Sequence, residues 1–415
     1  MSEAPLAHAE RRLASAELRL VLLITSLGNG GAEGVVSILL DRLRQQGKPV
    51  ELVCLERNDF YAIPQGMNVT YLSDFNGQEP GWKKLLYLPV FAWKLRRLVK
   101  SQSIAVVQSH VYRANYVNGL ARLLGANHRA QLVNVGQVSL YEQEGWLGKV
   151  NLWLIRWLYP RAELLILKSQ GMKADLMRLM PQLKIMQTVI HNPYDVEKIQ
   201  QQAQCEPVNW KKSADKFTLV SVGRLIPLKQ LDDVITALAK LPESVELVLV
   251  GDGPHKDFLK GVAKAQGVDE RVVFVGRQEN PFSYVARADA FVMASRSEGF
   301  PNVLAEALLC GVPCIAADCT SGPREILAPD SPQDKQLHIG DGVEWAQFGA
   351  LVAVGDVKAF VQAIEQLMRN PQQAQAYAQL GRVRGQDFNS EAIVRQYAQV
   401  VWHDGASTNA TSWNL

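Results

Sequence analysis

The sequence predicts an α/β protein built from two Rossmann-like domains, and three observations carry that expectation. Short, wholly apolar runs alternate with amphipathic stretches, the alternation breaks at a polar, proline-containing stretch from 192 to 216, and it then restarts. A chain of 415 residues has ample length for two domains with buried cores.

In the first half the run LVLLIT (20–25) leads into the helical period EGVVSILLDRLRQQG (33–47), and VELVCL (50–55) follows. IAVVQS (104–109) then precedes YVNGLARLLG (116–125), QLVNV (131–135) stands next, and ELLILKS (163–169) precedes GMKADLMRL (171–179). Strands without polar alternation are buried on both faces, which means a parallel sheet under helices on either side. The second half repeats the scheme with FTLVSVG (217–223), a helix near Asp232 to Lys240, VELVLVG (245–251), and a helix near Lys256 to Gln266. VVFVG (272–276), AFVMAS (290–295), a helix after Pro301 and VPCIAA (312–317) complete it. The expected domains are residues 1–195 and 212–387, with a linker over 193–215, a late amphipathic helix at 388–402 packing back on the first domain, and a frayed tail after it.

Composition narrows the function classes. The chain is 47% hydrophobic and 20% charged, a globular profile, and 44 basic against 41 acidic residues give a net charge of +3, too small to indicate a nucleic-acid partner. Five cysteines, none spaced as C-x-x-C, encode neither a disulfide framework nor a zinc site and suit a reducing cytoplasm. LRLVLLITSL (18–27) has the length of a signal-peptide core, but Glu3, Glu10 and Glu17 interrupt its leader, so it reads as a strand. No other run reaches the ~20 residues of a bilayer span.

Ligands of doubly wound folds sit at the carboxyl ends of strands. The first strand ends in Gly28-Asn-Gly30-Gly31-Ala-Glu33-Gly34 before a helix, an arrangement that suits an anion. The dinucleotide fingerprint fails there, because Glu33 stands where G-x-G-x-x-G needs its last glycine. After AFVMAS comes Glu298-Gly-Phe-Pro-Asn-Val-Leu-Ala-Glu306. Pro301 suits a first helical turn, leaving the N–H groups of Asn302, Val303 and Leu304 open toward a phosphate at the positive end of the helix dipole. Glu306, a turn later, can accept both hydroxyls of a ribose, and Glu298 remains in the loop. After FTLVSVG, Arg224 and Lys229 can neutralise a diphosphate leaving group without a metal.

G30-G-A-E33, V222-G-R-L225 with Lys229, V250-G-D-G-P254 and E298-G-F-P-N-V-L-A-E306 together resemble, in order and spacing over roughly 20 to 385, the family-4 retaining glycosyltransferases of GT-B fold. The pairing of R-x4-K with E-x7-E is the specific part. The resemblance implies two Rossmann-like domains facing each other across a cleft. It implies that Arg224 and Lys229 bind the nucleotide diphosphate, Glu306 the ribose and Glu298 the donor-sugar hydroxyls. His110 would touch the donor sugar, and Gly30 and Gly31 would close over the phosphates from the opposite domain. D318-C-T-S-G-P-R-E325 resembles a subset that builds bacterial polysaccharides and lipid-linked glycans. Gly34 departs from the pattern, an Arg or Thr being more usual there.

The expected activity is transfer of a sugar from a nucleoside diphosphate, UDP before GDP, to a glycan or lipid-linked acceptor with retention of configuration and without a metal or other cofactor. A nucleotide-sugar epimerase, a phosphorylase and a noncatalytic sugar-nucleotide-binding protein are the rivals. Trp82 to Lys100 holds six Lys or Arg and no acid, with Phe91, Leu95, Leu98 and Val99 opposite Arg96, Arg97 and Lys100 on a helical wheel. Trp146, Trp153, Trp157 and Tyr159 stand among Lys149, Arg156 and Arg161. Basic helices with interfacial aromatics predict peripheral contact with an anionic membrane from the cytoplasmic side.

Overall fold

A computed structural model of the chain describes residues 18–402 apart from Asn29, Gln65 and Asn68, so the leader glutamates and the tail after 402 lie outside the described residues. The chain forms two compact units. The first gathers the residues up to Leu167, Leu179–Pro193 and those from Ser390 onward, and the second gathers Lys168–Arg178 and Tyr194–Asn389.

Up to the change of unit the elements run β1 (Leu20–Ile24), α1 (Gly31–Gln45), β2 (Val50–Cys54), β3 (Val69–Tyr71), α2 (Gly81–Leu86), α3 (Leu88–Gln102) and β4 (Val106–His110). They continue through α4 (Tyr112–Leu123), β5 (Arg129–Val133), α5 (Gly145–Leu158), β6 (Leu164–Leu167), α6 (Gln170–Leu179) and β7 (Met186–Val189). The seven strands are parallel in the order β3-β2-β1-β4-β5-β6-β7. β1 is buried along its whole length, which is why its sequence shows no polar alternation. The short β3 and β7 went unforeseen because each lies at a sheet edge, only partly buried, with a mixed composition.

Helix α3 corrects one expectation. Phe91, Leu95 and Val99 are buried and Leu98 is partly buried, so the apolar face expected to meet a bilayer is the face that packs on the protein. Tyr159 is likewise fully buried, with its hydroxyl donating to Asn134 Oδ1 at 2.6 Å. The exposed apolar side chains of these segments instead include Trp82, Leu86, Val90, Trp93, Trp146, Leu147, Trp153 and Trp157. Among the described residues no helix is long and apolar enough to cross a membrane.

The stretch expected to be a linker contains α7 (Val196–Gln204), capped by Asp195, which accepts from Lys198 N–H at 3.1 Å. There follow β8 (Phe217–Val222), α8 (Leu231–Leu238), β9 (Val245–Val250), α9 (Lys256–Ala265), β10 (Val272–Gly276), α10 (Phe282–Val285), β11 (Ala290–Met293) and α11 (Asn302–Cys310). β12 (Cys314–Ala317), α12 (Pro323–Leu327), β13 (Val343–Trp345), β14 (Ala350–Val352), α13 (Val357–Arg369), α14 (Pro371–Gln386) and α15 (Ser390–Trp402) complete the chain. The second sheet has the order β10-β9-β8-β11-β12-β14-β13, parallel except for β13. Apolar clusters cover both its faces. α15 belongs to the first unit, where Ile393, Val394, Tyr397 and Val401 join the core formed by β1 and α1.

Candidate active site

At the carboxyl end of β8 the chain turns through Gly223 into Arg224, and this turn is stitched to the one after β9. Gly223 N–H donates to Val250 O and Leu225 N–H to Asp252 O, both at 3.0 Å. The approach is close enough that a β-carbon on Gly251 would stand 1.9 Å from Gly223 O. V222-G-R-L225 and V250-G-D-G-P254 are thus two halves of one backbone joint. It leaves Arg224 exposed at the strand end, with no carboxylate paired to it among the described residues.

Lys229 closes a 3-10 turn, Pro227–Lys229, and Arg296 N–H donates to Leu228 O at 3.0 Å, tying that turn to the loop after β11. The connection sets Lys229 Nζ 2.6 Å from Glu298 Oε1, both side chains being largely buried. A small cavity lined by Gly223, Arg224, Lys229 and Ser295 lies at the same strand ends.

The segment after Glu298 leads into α11. Pro301 is its N-cap in extended conformation and Asn302 its first residue, one position later than expected. Leu304 N–H donates to Pro301 O at 3.1 Å, so of the three N–H groups expected to be open, Leu304 is taken. Asn302 Oδ1 accepts from Tyr194 Oη at 2.8 Å, fixing the leading residue, and Val303 N–H has no intrahelical acceptor. One turn on, Glu306 has no cation beside it among the described residues, and burial pushes its carboxyl up to about 7. Within the second unit Arg224, Lys229, Glu298, Asn302, Val303 and Glu306 therefore gather around adjacent strand ends and one helix N-terminus.

The D318-C-T-S-G-P-R-E325 stretch is internal scaffolding of this loop. Arg324 is buried and forks onto Asp318, with Nε to Oδ1 at 3.1 Å and Nη2 to Oδ2 at 2.5 Å, and its Nη1 reaches Glu344 Oε1 at 2.9 Å. Glu325 accepts from the N–H groups of Gln170 and Gly171, each at 2.8 Å. Ser321 Oγ donates to Glu298 O. Gly322 adopts φ +92°, and a β-carbon there would stand 2.4 Å from Pro301 Cδ. Ser321 and Gly322 of the motif thus meet Glu298 and Pro301, while its charged groups tie the stretch to Glu344 and to the start of α6.

The residues expected in the first unit are differently placed. Gly30 is the N-cap of α1 and Gly31 its first residue. Gly30 N–H already donates to Gly28 O at 3.1 Å, and the Glu33 carboxylate folds back against Gly30, its acidity lowered by burial. At Gly34, where the family pattern has a side chain, Tyr61 fills the space: its hydroxyl donates to Gly30 O at 3.3 Å and would lie 3.0 Å from a β-carbon on Gly34.

His110 is fully buried at the end of β4, with Nε2 3.2 Å from Gln108 Oε1. Gln108 Nε2 in turn donates to Gln131 Oε1 at 2.8 Å, and Gln131 Nε2 donates to Val400 O on α15 at 2.8 Å. Val111, next in sequence, has φ +66°, a strained conformation for a β-branched residue, held directly beside His110. This polar ladder was not foreseen, because its glutamines lie inside apolar strand patterns. His128 Nε2 meets Asn118 Oδ1 at 2.8 Å, and burial lowers its pKa to about 4.

The sequence and the fold both match known proteins. Residues 204–384 match the family described as glycosyl transferases group 1, and residues 29–198 match glycosyltransferase family 4. The N-acetylgalactosamine-N,N'-diacetylbacillosaminyl-diphospho-undecaprenol 4-alpha-N-acetylgalactosaminyltransferase of Campylobacter jejuni is 31% identical over 378 residues, covering 91% of this chain and 97% of its own length. The lipopolysaccharide core biosynthesis glycosyltransferase LpsE of Rhizobium meliloti is 33% identical over 190 residues, 45% of this chain and 50% of that protein. Among solved structures, Anabaena HepE in complex with UDP-glucose superposes with a TM-score of 0.71 at 21% identity, over 92% of this chain and 99% of its own. Sucrose-phosphate synthase of Thermosynechococcus elongatus gives 0.75 at 20% identity, over 92% and 98%.

Proposed function

This chain belongs to the family-4, group 1 glycosyltransferases of GT-B fold, and on that premise we propose that it moves a sugar from a UDP donor to a lipid-linked or glycan acceptor, with retention of configuration and without a divalent metal. The observation that carries the reading is the meeting of Arg224, the Lys229–Glu298 pair and the N-terminus of α11 in one unit, with Glu306 one turn beyond. Cations and a helix N-terminus suit a diphosphate, and a desolvated carboxylate suits vicinal hydroxyls.

In the proposed reaction the C1–O bond to the diphosphate breaks as the acceptor oxygen adds to C1 from the same face. Arg224, Lys229 and the leading N–H groups of α11 hold the charge that develops on the departing diphosphate. The acceptor proton passes to a diphosphate oxygen, so no protein nucleophile is required. Glu298 holds donor-sugar hydroxyls and Glu306 the ribose. The roles proposed for Gly30, Gly31 and His110 rest on the family resemblance. UDP is favoured over GDP because HepE, a neighbour in fold, was solved with UDP and with UDP-glucose. A lipid-linked acceptor is favoured because the Campylobacter relative is named for a diphospho-undecaprenol substrate.

We place the enzyme at the cytoplasmic face of a membrane. Trp82, Leu86, Val90 and Trp93 are exposed on α2 and α3 beside Arg97 and Lys100, a pattern that suits an anionic interface. The five cysteines are unpaired, as suits a reducing compartment.

The test offers a panel of UDP- and GDP-sugars with a lipid diphosphate acceptor, with and without EDTA, and reads nucleotide release and the anomeric configuration of the product by NMR. Transfer with retention from a UDP-sugar supports the reading. Release of nucleotide or epimerisation without acceptor would instead identify a hydrolase or epimerase, and UDP binding without turnover a binding protein.

A further inference from the structure

One cavity of the first unit lies at the opposite end of its sheet from His110. It has a volume of about 310 Å³ and opens where the chain enters β6 and β7, between the last turn of α5 and residues 180–185. Both connections run from a helix to the amino end of a strand, whereas His110 ends its strand, so the cavity takes no part in the site described above.

Its walls combine two kinds of group. Met180, Leu183 and Ile185 are apolar, and Arg156 and Lys184 are cations, both exposed. Among the described residues neither cation has an ion-pair partner. Two uncompensated cations on one apolar cavity suit a phosphate carried on an apolar body. The rim agrees. On the same turns of α5, Trp153 and Trp157 stack with centroids 5.1 Å apart and stand 57% and 37% exposed. Met186, at the start of edge strand β7, is 58% exposed. The end of α4, which packs on α5 through Gly119 and Leu158, exposes Leu123 and Leu124. A free phosphate ion would give no use to these flanking apolar side chains, whereas a bilayer interface solvates indole rings, leucines and cations together.

We propose that this cavity takes the phosphate headgroup of an anionic phospholipid, between Arg156 and Lys184, while Trp153, Trp157 and Met186 enter the interface around it. The proposal deepens the membrane reading given above and adds a defined headgroup site away from the α2–α3 surface.

The experiment measures sedimentation of the full chain with phosphatidylcholine vesicles containing phosphatidylglycerol, at low salt, and with phosphatidylcholine vesicles alone. Arg156→Ala/Lys184→Ala should weaken binding to the anionic vesicles by about thirtyfold, the equivalent of about 1 kcal/mol per cation. UDP affinity should stay unchanged, which verifies the fold. Brominated phosphatidylglycerol should quench an emission component that Trp153→Phe/Trp157→Phe removes. If the double alanine variant binds as the parent does, while neutralising Arg96, Arg97 and Lys100 releases the protein, the cavity proposal falls and the membrane reading stands. A parent that ignores anionic vesicles overturns both. Competition by soluble glycerol phosphate that leaves vesicle binding intact would identify the cavity as a site for a free phosphoester and overturn the lipid assignment.

Discussion

Lys229 Nζ stands 2.6 Å from Glu298 Oε1, so the cation proposed to hold the donor diphosphate and the carboxylate proposed to hold the donor sugar neutralise each other in the free protein. In that assignment a bound donor would present a phosphate to one and hydroxyls to the other, and would have to share this pair. The pair lies largely out of solvent, where its attraction is little screened.

Glu298→Gln should therefore separate product from donor. Freed of its counter-ion, Lys229 should bind UDP about fivefold more tightly, on the order of 1 kcal/mol. The UDP-sugar should lose turnover, because the amide accepts sugar hydroxyls less strongly. Calorimetry with UDP and initial rates with the donor check the two halves. A variant that loses UDP affinity along with turnover would remove Glu298 from the sugar side.

Glu306 is expected to give the proposed site a pH dependence. Its carboxyl titrates at about 7 because it is desolvated, and only the ionised form accepts two ribose hydroxyls without offering a proton. Affinity for a UDP-sugar, whose diphosphate does not titrate in this range, should rise up to about tenfold from pH 6 to pH 8. Glu306→Gln should flatten that profile. Stability runs the other way: a carboxyl raised from 4.5 to about 7 in the fold contributes stability fully present below 4.5 and lost as pH rises through 7. Free Glu306→Gln should accordingly exceed the parent in stability at pH 8 by at most about 3 kcal/mol. Parallel profiles of binding in parent and variant would refute the ribose role.

Arg324 tests the scaffold behind Glu298. It is 3% exposed and neutralises Asp318 and, with Lys335, Glu344, so Arg324→Ala leaves the buried Asp318 without its counter-ion and should cost about 3 to 5 kcal/mol in urea unfolding. Ser321→Ala removes only the hydroxyl that donates to Glu298 O. It should cost about 1 kcal/mol of stability yet lower turnover of the UDP-sugar more than UDP affinity. Wild-type turnover in Ser321→Ala would mean that the loop holds Glu298 without this bond.

Much of this architecture was legible in the sequence because a parallel sheet buried on both faces writes its strands as unbroken apolar runs, as in VELVLV of β9. The edges were not legible. MQTV of β7 is partly exposed, and α14 is rich in glutamine with no strong apolar stripe. In the candidate site, spacing after the strand ends pointed to Arg224, Lys229, Glu298 and Glu306, which the fold brings together in one unit. The 2.6 Å contact between Lys229 and Glu298 was not visible, because it joins residues 69 apart through the Arg296–Leu228 bond. The apolar face of α3 was assigned to a bilayer for a related reason. A helical wheel shows that a face is apolar without showing what covers it.

Gly34 offers a test of the family departure. A side chain there collides with Tyr61, whose ring fills the space, so Gly34→Thr should destabilise the parent by about 1 to 3 kcal/mol through overpacking. Combined with Tyr61→Ala, the same threonine should cost less than it does alone, a coupling of about 1 kcal/mol in a double-mutant cycle. Additive effects in urea would show that Tyr61 yields without strain.

Arg224 and Lys229 should differ in what their loss does, although both are proposed to face the diphosphate. No carboxylate pairs with Arg224 among the described residues, so Arg224→Ala removes one uncompensated charge and should lower turnover about a hundredfold by analogy with a lost oxyanion donor. Lys229→Ala removes a cation and also leaves Glu298 bare beside the phosphates. It should weaken UDP binding more than Arg224→Ala does, and Lys229→Ala/Glu298→Gln should recover part of that loss, since the repulsive charge is gone. EDTA should leave the parent's turnover intact if these two cations carry the leaving-group charge. Activity abolished by chelation and restored by Mn2+ would transfer that role to a metal. Equal UDP affinity in Lys229→Ala and Lys229→Ala/Glu298→Gln would mean that Glu298 does not reach the diphosphate.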